Sequence, residues 1–513
     1  MTLQKNSLEW AIEFLEKHSD GDLFPKILEL IAIYEKRDDF IALVEGKQLS
    51  EFEPKPCRRF IVPKDEISYR QATQLYPQDS ILLSALVHQF GQGIEDRRLD
   101  SSQVFSYRFS PSIDEGLYKA KTAWNEFWSS AYNKSQNSST ILYCDIADFY
   151  NQIYHHSVEN QLIESGFPNQ AVKWIVSLLE STTAGVSRGV PIGPHAIHLI
   201  VEATLIPIDN SMKTNGLNFL RYADDIIVFC DSDKESKSAL SLIASVLDKQ
   251  QRLTLQRHKT RFYKPEDFKV LCASMIEDRP INKNEEKLLG IIQRYTGGNP
   301  YASISYNSIN LEDWKQFSES VVSNIIKEYL SKDEVDYIRL RWFYRRLSQV
   351  GHPGALDVSI ENLERLGPCL ANICTYIASI QSIDPEEWKK VGGKLIALLN
   401  TEEIESNEFF RLSILSLFTK NKHINHFTSL ASRFQSSDPF ARREILLAAG
   451  QNEAVDWLRE YKEASISMDP WQKMAFLYCA AGFPTDEKKY FINNRFKPEG
   501  PYDATLAKWS KST

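Results

Sequence analysis

No run of apolar residues in this chain reaches the about 18 that a membrane-crossing helix requires, so no membrane span is expected. Cysteine is scarce and scattered: the seven are Cys57, Cys144, Cys230, Cys272, Cys369, Cys374 and Cys479, with no CxxC pair at metal-site spacing. That excludes a zinc ribbon and a disulfide framework, and an odd, dispersed set suits structural thiols in a reducing cytoplasm. There is no excess of positive charge either. The formal net charge is −8, which argues against a protein that coats nucleic acid non-specifically. It leaves room for a small or enclosed nucleic-acid path, locally basic around carboxylates. The N-terminal stretch is amphipathic and acidic, and reads as a folded helix rather than a signal peptide.

What is present is a soluble balance of 42% hydrophobic and 25% charged residues over 513 positions, long enough for several cores. Residues 1–50 show helical spacing of apolar side chains in two segments. A proline-punctuated stretch with a β-branched run at Phe60–Val62 follows, with Arg59, Lys64 and Arg70 around it. The Pro77-Gln78-Asp79 triplet predicts the start of the next helix. Strands are expected at Val104–Phe109, at Ile141–Ile146, on both sides of Asp224-Asp225, and along Leu253–Tyr263. Helices are expected at Leu117–Tyr132, near His156–Gly166, and over the apolar segment that begins at His195. Beyond residue 310 the strand signal stops and helical patterns take over. Asp438-Pro439 and Asp469-Pro470 each open a hydrophobic helix closed by a glycine, which suggests stacked helix pairs of the HEAT kind. The expected architecture is α+β, with a division at residues 1–110, 111–300 and 301–513, the last an all-α repeat domain.

Two acidic clusters carry the chemistry. Asp145 ends the hydrophobic run Ile141–Cys144, where a carboxylate is costly unless a cation or a hydrogen-bond donor compensates it. Asp224 and Asp225 sit between two apolar runs, and a divalent cation would relieve the repulsion of such neighbours. Carboxylates brought together by adjacent strands can hold two magnesium ions (manganese is an alternative) and support phosphoryl transfer to a 3′-hydroxyl. An acidic hairpin turn without chemistry is the alternative. Two histidine pairs, His155-His156 and His195/His198, lack any matching ligand set, so core or surface roles are expected for them.

These residues resemble reverse transcriptases. Tyr222-Ala223-Asp224-Asp225 looks like their metal-binding turn, and Asp145 with Phe149 and Tyr150 looks like their first catalytic motif; Asp148 is a candidate contact to triphosphate, with a helix cap as the alternative. The resemblance implies that Asp145, Asp224 and Asp225 are catalytic metal ligands and that Tyr150 gates the sugar of an incoming deoxynucleotide. A core tyrosine is the alternative for Tyr150. Gly189-Val190-Pro191-Ile192-Gly193-Pro194 resembles the glycine-rich motif before the palm helix, implying that Gly189, Pro191 and Gly193 lie against nucleotide or template. Ile192 and Ile197 stand where common retroelement enzymes have glutamine and serine, a departure that points away from ordinary template copying. Lys259 resembles the lysine near departing pyrophosphate, and Lys64 and Arg70 the basic pair that grips the triphosphate from the fingers; the resemblance implies a right-hand polymerase with N-terminal helices and fingers in residues 1–110 and the palm in 111–300.

The length, the Pro-Ile-Gly form of the glycine motif and the helical second half are similar to the bacterial abortive-infection reverse transcriptases of prophage-encoded type. That resemblance implies untemplated DNA synthesis from dNTPs, primed on a tyrosine of the same chain, with single-stranded product attached and a homo-oligomeric assembly. Tyr34 is the candidate primer. Arg339, Arg341, Arg345 and Arg346, interleaved with aromatics, are candidates for holding product, with a packed amphipathic helix as the alternative. Template-dependent copying of the retron kind, and a non-catalytic nucleic-acid-binding module, are the competing functions.

Overall fold

The computed structural model describes residues 1–21, 23–119, 122–276, 279–297 and 303–513. Its centre is a four-stranded sheet in the order β6-β7-β5-β8, formed by β5 (Thr140–Asp145), β6 (Phe219–Tyr222), β7 (Asp225–Cys230) and β8 (Arg261–Tyr263). β5 pairs antiparallel with β7 on one side and β8 on the other. Strand alternation sorts side chains to two faces. Ile141, Ile227 and Phe229 join Phe127, Trp128 and Phe268 of the helices Ala123–Ser135 and Pro265–Ile276 in one cluster. Leu142, Cys144, Ile226 and Val228 point the other way, into the main core, which also takes in the helices His195–Thr214 and Asp233–Gln251.

Two smaller hairpins flank this sheet. β1 (Arg58–Pro63) and β2 (Tyr69–Gln74) pair antiparallel, as do β3 (Phe109–Ser112) and β4 (Gly116–Tyr118). At the tip of the first hairpin the Asp65 carboxylate accepts from the Ile67 and Ser68 amides, fixing the turn after Lys64. Of the expected strand Val104–Phe109, Val104 makes a single bridge to Arg221 and Phe109 opens β3, with Tyr107 at φ 46 breaking the extension between them. The second N-terminal helix is also interrupted. A 3-10 turn at Leu28–Leu30 leads into Ile31–Glu35 and Arg37–Val44, with the break at Lys36. The helix Pro77–Phe90 does start where expected, with Pro77 in its first turn, but Tyr76 is the residue before it and no side chain caps it.

Among the described residues, everything after β8 is helical, and none of the described helices is long and apolar enough to cross a membrane. Asp438 and Asp469 cap the helices Pro439–Gln451 and Pro470–Cys479 by accepting from the amides two and three residues on. These two helices pack side by side. Gly450 does not end its helix as expected. A β-carbon there would lie 2.6 Å from Cys479 Sγ, so this glycine is what permits the close approach of the second helix. The proposed division at residues 300/301 falls on residues outside those described.

The helical half is fastened to the first. Phe60, Val62 and Ala72 of the β1–β2 hairpin pack with Phe409 and Leu412. Tyr337 Oη donates to Glu66 at 2.8 Å, and Arg341 Nη1 donates to the Lys64 carbonyl at 3.0 Å. Deep in the same seam the buried Arg443 grips Glu29 through both carboxylate oxygens at 2.6 and 2.7 Å. The helix Pro501–Ser512 lies on the N-terminal segments, with Trp509 Nε1 donating to Glu35 at 2.6 Å and Tyr76 Oη donating to Asp503 at 3.0 Å.

Candidate active site

Strand register brings the two acidic clusters together. Asp145 lies directly opposite Asp225 across the β5–β7 ladder, and the Ile146 amide donates to the Asp224 carbonyl at 3.1 Å. The turn joining β6 to β7 is strained: Ala223, a residue with a side chain, holds φ 51. Asp145 is 4% exposed. Burial, and after it the negative charge of Asp145, pushes the Asp224 carboxyl up to about 6; Lys259 and Lys64 act in the opposite sense. Burial and then Asp224 push the Asp225 carboxyl up to about 7, against a hydrogen bond from Tyr143 Oη at 2.6 Å. Lys259 Nζ sits 2.5 Å from Asp145 Oδ2. The strand expected around it is broken: Leu255 bridges Ile146, residues 257–259 turn, and Arg261–Tyr263 pairs again, with the Gln256 amide on the Asp145 carbonyl at 2.7 Å.

The three carboxylates are hard oxygen donors of the kind magnesium takes, and the ammonium of Lys259 against Asp145 shows that the spot stabilises positive charge. Among the described residues no group of three or more His, Cys, Asp or Glu is gathered into a ready cage. Asp145 and Asp225 each already carry a hydrogen bond, to Lys259 and Tyr143.

What holds the turn is a buried ion network beneath it. Arg221, fully buried, donates to Asp209 at 2.6 and 2.7 Å, to Glu202 at 2.9 and 3.3 Å, and to the Ala223 carbonyl at 2.9 Å. Ser106 Oγ accepts from the Ala223 amide at 2.9 Å and donates to Glu202 at 2.7 Å. Arg98 bonds the same Glu202 at 2.8 Å and the Tyr107 carbonyl at 2.9 Å. Both peptide groups of the strained residue are therefore tied to Glu202, on the helix His195–Thr214.

A cleft of about 260 Å³ is lined by Arg59, Gln71, Asp148, Arg188, Gly189 and Ile192. Gly189 has φ 98, and its carbonyl bonds His155 Nε2 at 2.7 Å. The Ile192 carbonyl accepts from the Thr73 amide of β2 at 2.8 Å. Asp148 is exposed beside this cleft in a left-handed conformation, bonded to Asn151 at 2.7 Å.

Residues 62–291 match the family model of the reverse transcriptase (RNA-dependent DNA polymerase). The chain carries a reverse transcriptase domain. That domain indicates a nucleotidyltransferase of the DNA-polymerase class, and it contains both acidic clusters, the glycine motif and Lys259. No curated protein matches the chain.

Of the residues read from the sequence, Asp145, Asp224, Asp225, Lys64, Tyr150 and Lys259 gather at the acid site of the reverse transcriptase domain, and the others lie elsewhere. Lys64 lies near enough to Asp224 for its charge to act there. Arg70, opposite Val62 in the hairpin, is half-buried. Tyr150 is half-buried at the site, whereas Phe149 is a correction: at 3% exposure its ring belongs to the main core rather than to a nucleotide surface. Pro191 is buried, and it lines the cleft together with Gly189 and Ile192. Tyr34 is half-buried in the N-terminal helical layer, with its hydroxyl enclosed and without a hydrogen-bond partner. Arg341 is spent on the fingers hairpin, and Arg339 and Arg346 both lie over the Trp342 ring, at 4.7 and 4.8 Å. The sequence reading passed over Arg188, Tyr107, Arg221 and Glu202. A buried Glu on an apolar helix, together with an arginine one residue before the Tyr222 turn, was the signal available for the last two.

Proposed function

We propose that this chain is a DNA polymerase that extends DNA from dNTPs at Asp145, Asp224 and Asp225 without copying a template, primed from a tyrosine of its own, in abortive-infection defence against phage. The observation that carries the polymerase part is the register pairing of Asp145 with Asp225, inside the segment that matches reverse transcriptases. Two magnesium or manganese ions held by the three carboxylates would activate a hydroxyl and neutralise phosphate charge. Lys64 and Arg70 reach the triphosphate from the fingers hairpin. Lys259, kept protonated by the carboxylates around it, is placed to give a proton to departing pyrophosphate.

The untemplated part is supported by the glycine loop. Ile192 offers an apolar side chain there and spends its carbonyl on Thr73. A β-carbon on Gly193 would lie 2.7 Å from the Thr73 carbonyl, so the loop is pressed onto the fingers. The defence role and a homo-oligomer are supported by the motif resemblance and the helical half. Tyr34 remains the primer to test, and its enclosed hydroxyl requires the N-terminal layer to open. A product path along the helix Tyr337–Val350 is supported by Arg345, whose side chain is exposed there.

The match to RNA-dependent polymerases favours a second reading, templated copying. Purified chain incubated with each dNTP and Mg²⁺, without nucleic acid, separates the two. A growing DNA ladder linked to protein and lost in Asp224→Ala supports the first. Synthesis only on an added RNA template supports the second. Mass mapping of the linked peptide then identifies the primer, and a modified residue other than Tyr34 removes that assignment.

A further inference from the structure

The ring of Tyr150 stands on a single helical turn, Phe149–Gln152, which begins at Asp148 in a left-handed conformation. So short an element does little to fix a long side chain. The ring is fixed instead at its far end. Tyr150 Oη lies 2.7 Å from His198 Nδ1, with the two rings nearly perpendicular at 87°. Burial keeps the imidazole neutral, with its pKa pulled down to about 3, and burial likewise keeps the phenol protonated. In the tautomer protonated at Nε2, Nδ1 accepts from the phenol, and the Tyr107 hydroxyl also hydrogen-bonds Tyr150.

His198 is itself held. The Tyr107 ring lies parallel to it, with centroids 4.3 Å apart and an interplanar angle of 8°. Tyr107 adopts φ 46, a conformation a bulky residue keeps only when its surroundings impose it. The imposing contact is Arg98, which donates to the Tyr107 carbonyl and is anchored on Glu202. The same Glu202 fixes the Ala223 turn, so one buried carboxylate references both the acid site and the ring of Tyr150.

We propose that His198 is a positioning residue that sets sugar selection: by tethering the Tyr150 hydroxyl it holds that ring where a 2′-hydroxyl would clash, so that deoxynucleotides are used and ribonucleotides refused. The inference rests on the reading of Tyr150 as the residue beside the incoming sugar. An untethered ring can swing aside, and selection by steric exclusion weakens with every such freedom.

The test measures kcat/KM for dATP and for ATP with purified full-length chain, and takes their ratio. Tyr150→Phe keeps the ring and removes the tethered hydroxyl. His198→Phe keeps the stack on Tyr107 and removes the acceptor. Each is expected to lower the dATP/ATP ratio about tenfold, with the double variant no worse than either alone. His198→Asn, which restores an acceptor, is expected to recover part of the ratio, a rescue that a purely structural role does not give. Should His198→Phe fail to fold, Tyr150→Phe and His198→Asn carry the test. An unchanged ratio in Tyr150→Phe, or independent losses that add in the double variant, overturns the proposal. Tyr150→Val reports on the underlying reading. If it lowers the ratio while Tyr150→Phe does not, the tether is wrong and the sugar contact stands. If even Tyr150→Val leaves the ratio unchanged, the sugar contact itself fails, and the proposal with it.

Discussion

Lys259 Nζ lies 2.5 Å from Asp145 Oδ2, across a turn that the Asp145 carbonyl itself secures. The carboxylate at the end of β5 thus organises its own counter-charge. Lys259→Met is expected to lower kcat about 10²-fold with a smaller change in KM, the size typical of a lost proton donor. Steady-state incorporation kinetics check this. Lys259→Arg distinguishes the roles: recovery would mean that positive charge suffices, whereas continued loss means that a transferable proton is needed.

Asp224→Asn removes one of three mutually repelling carboxylates. Incorporation is expected to fall at least about 10³-fold, because the hydroxyl and pyrophosphate lose their shared ion site. Melting in the absence of divalent ions is expected to move the other way, to higher temperature at pH 8. Loss of activity accompanied by a lower melting temperature would assign the residue to folding instead.

Arg221→Met leaves Asp209 buried and unpaired, and strips Glu202 of one of the two arginines that hold it. Removing one partner of such a network costs about 3–5 kcal/mol. A reduced urea midpoint with an unchanged slope measures it. Arg221→Lys is expected to recover only a part, since an ammonium cannot serve Asp209, Glu202 and the Ala223 carbonyl together.

Gly193→Ala places a β-carbon 2.7 Å from the Thr73 carbonyl at φ 138. The backbone alone makes that cost about 1–3 kcal/mol, before the clash. Gly46→Ala, at φ 77 in open space, is the control and is expected to cost about 1 kcal/mol. Equal melting temperatures for the two variants would show that the loop is not pressed on the fingers.

Asp79 gives a pH dependence with a definite sign. It is fully buried, accepts from the Lys55 amide at 2.7 Å, and burial pushes its carboxyl from 3.8 up to about 8. The folded state therefore keeps a proton that the unfolded chain releases, and stability contributed by this group falls as pH rises from about 4 to about 8. Asp79→Asn is expected to flatten that slope by up to about 1.4 kcal/mol per pH unit. Urea midpoints across that range read it directly, and parallel slopes would contradict it.

The strand ends carrying Asp145 and Asp224-Asp225 were legible because each follows or joins an apolar run, and their meeting needs only the ladder that such runs form. The caps Asp438 and Asp469 were legible for a similar local reason. What could not be read depends on contacts between distant segments. Arg98 and Ser106 meet Glu202 from another part of the chain, and nothing local announces it. Tyr107 ends an apparent strand because tertiary bonds force its backbone over, overriding propensity. Phe149 looked like part of a motif but faces the core.

The helix Pro501–Ser512 closes over residues 28–44, with Lys508 paired to Asp39 at 2.6 Å and Trp509 bonded to Glu35. On a ribosome the helices Ile31–Glu35 and Arg37–Val44 are made well before the helix that covers them, and wait with that side uncovered until it emerges. A chain stalled before that helix is made exposes the face to chaperones and proteases.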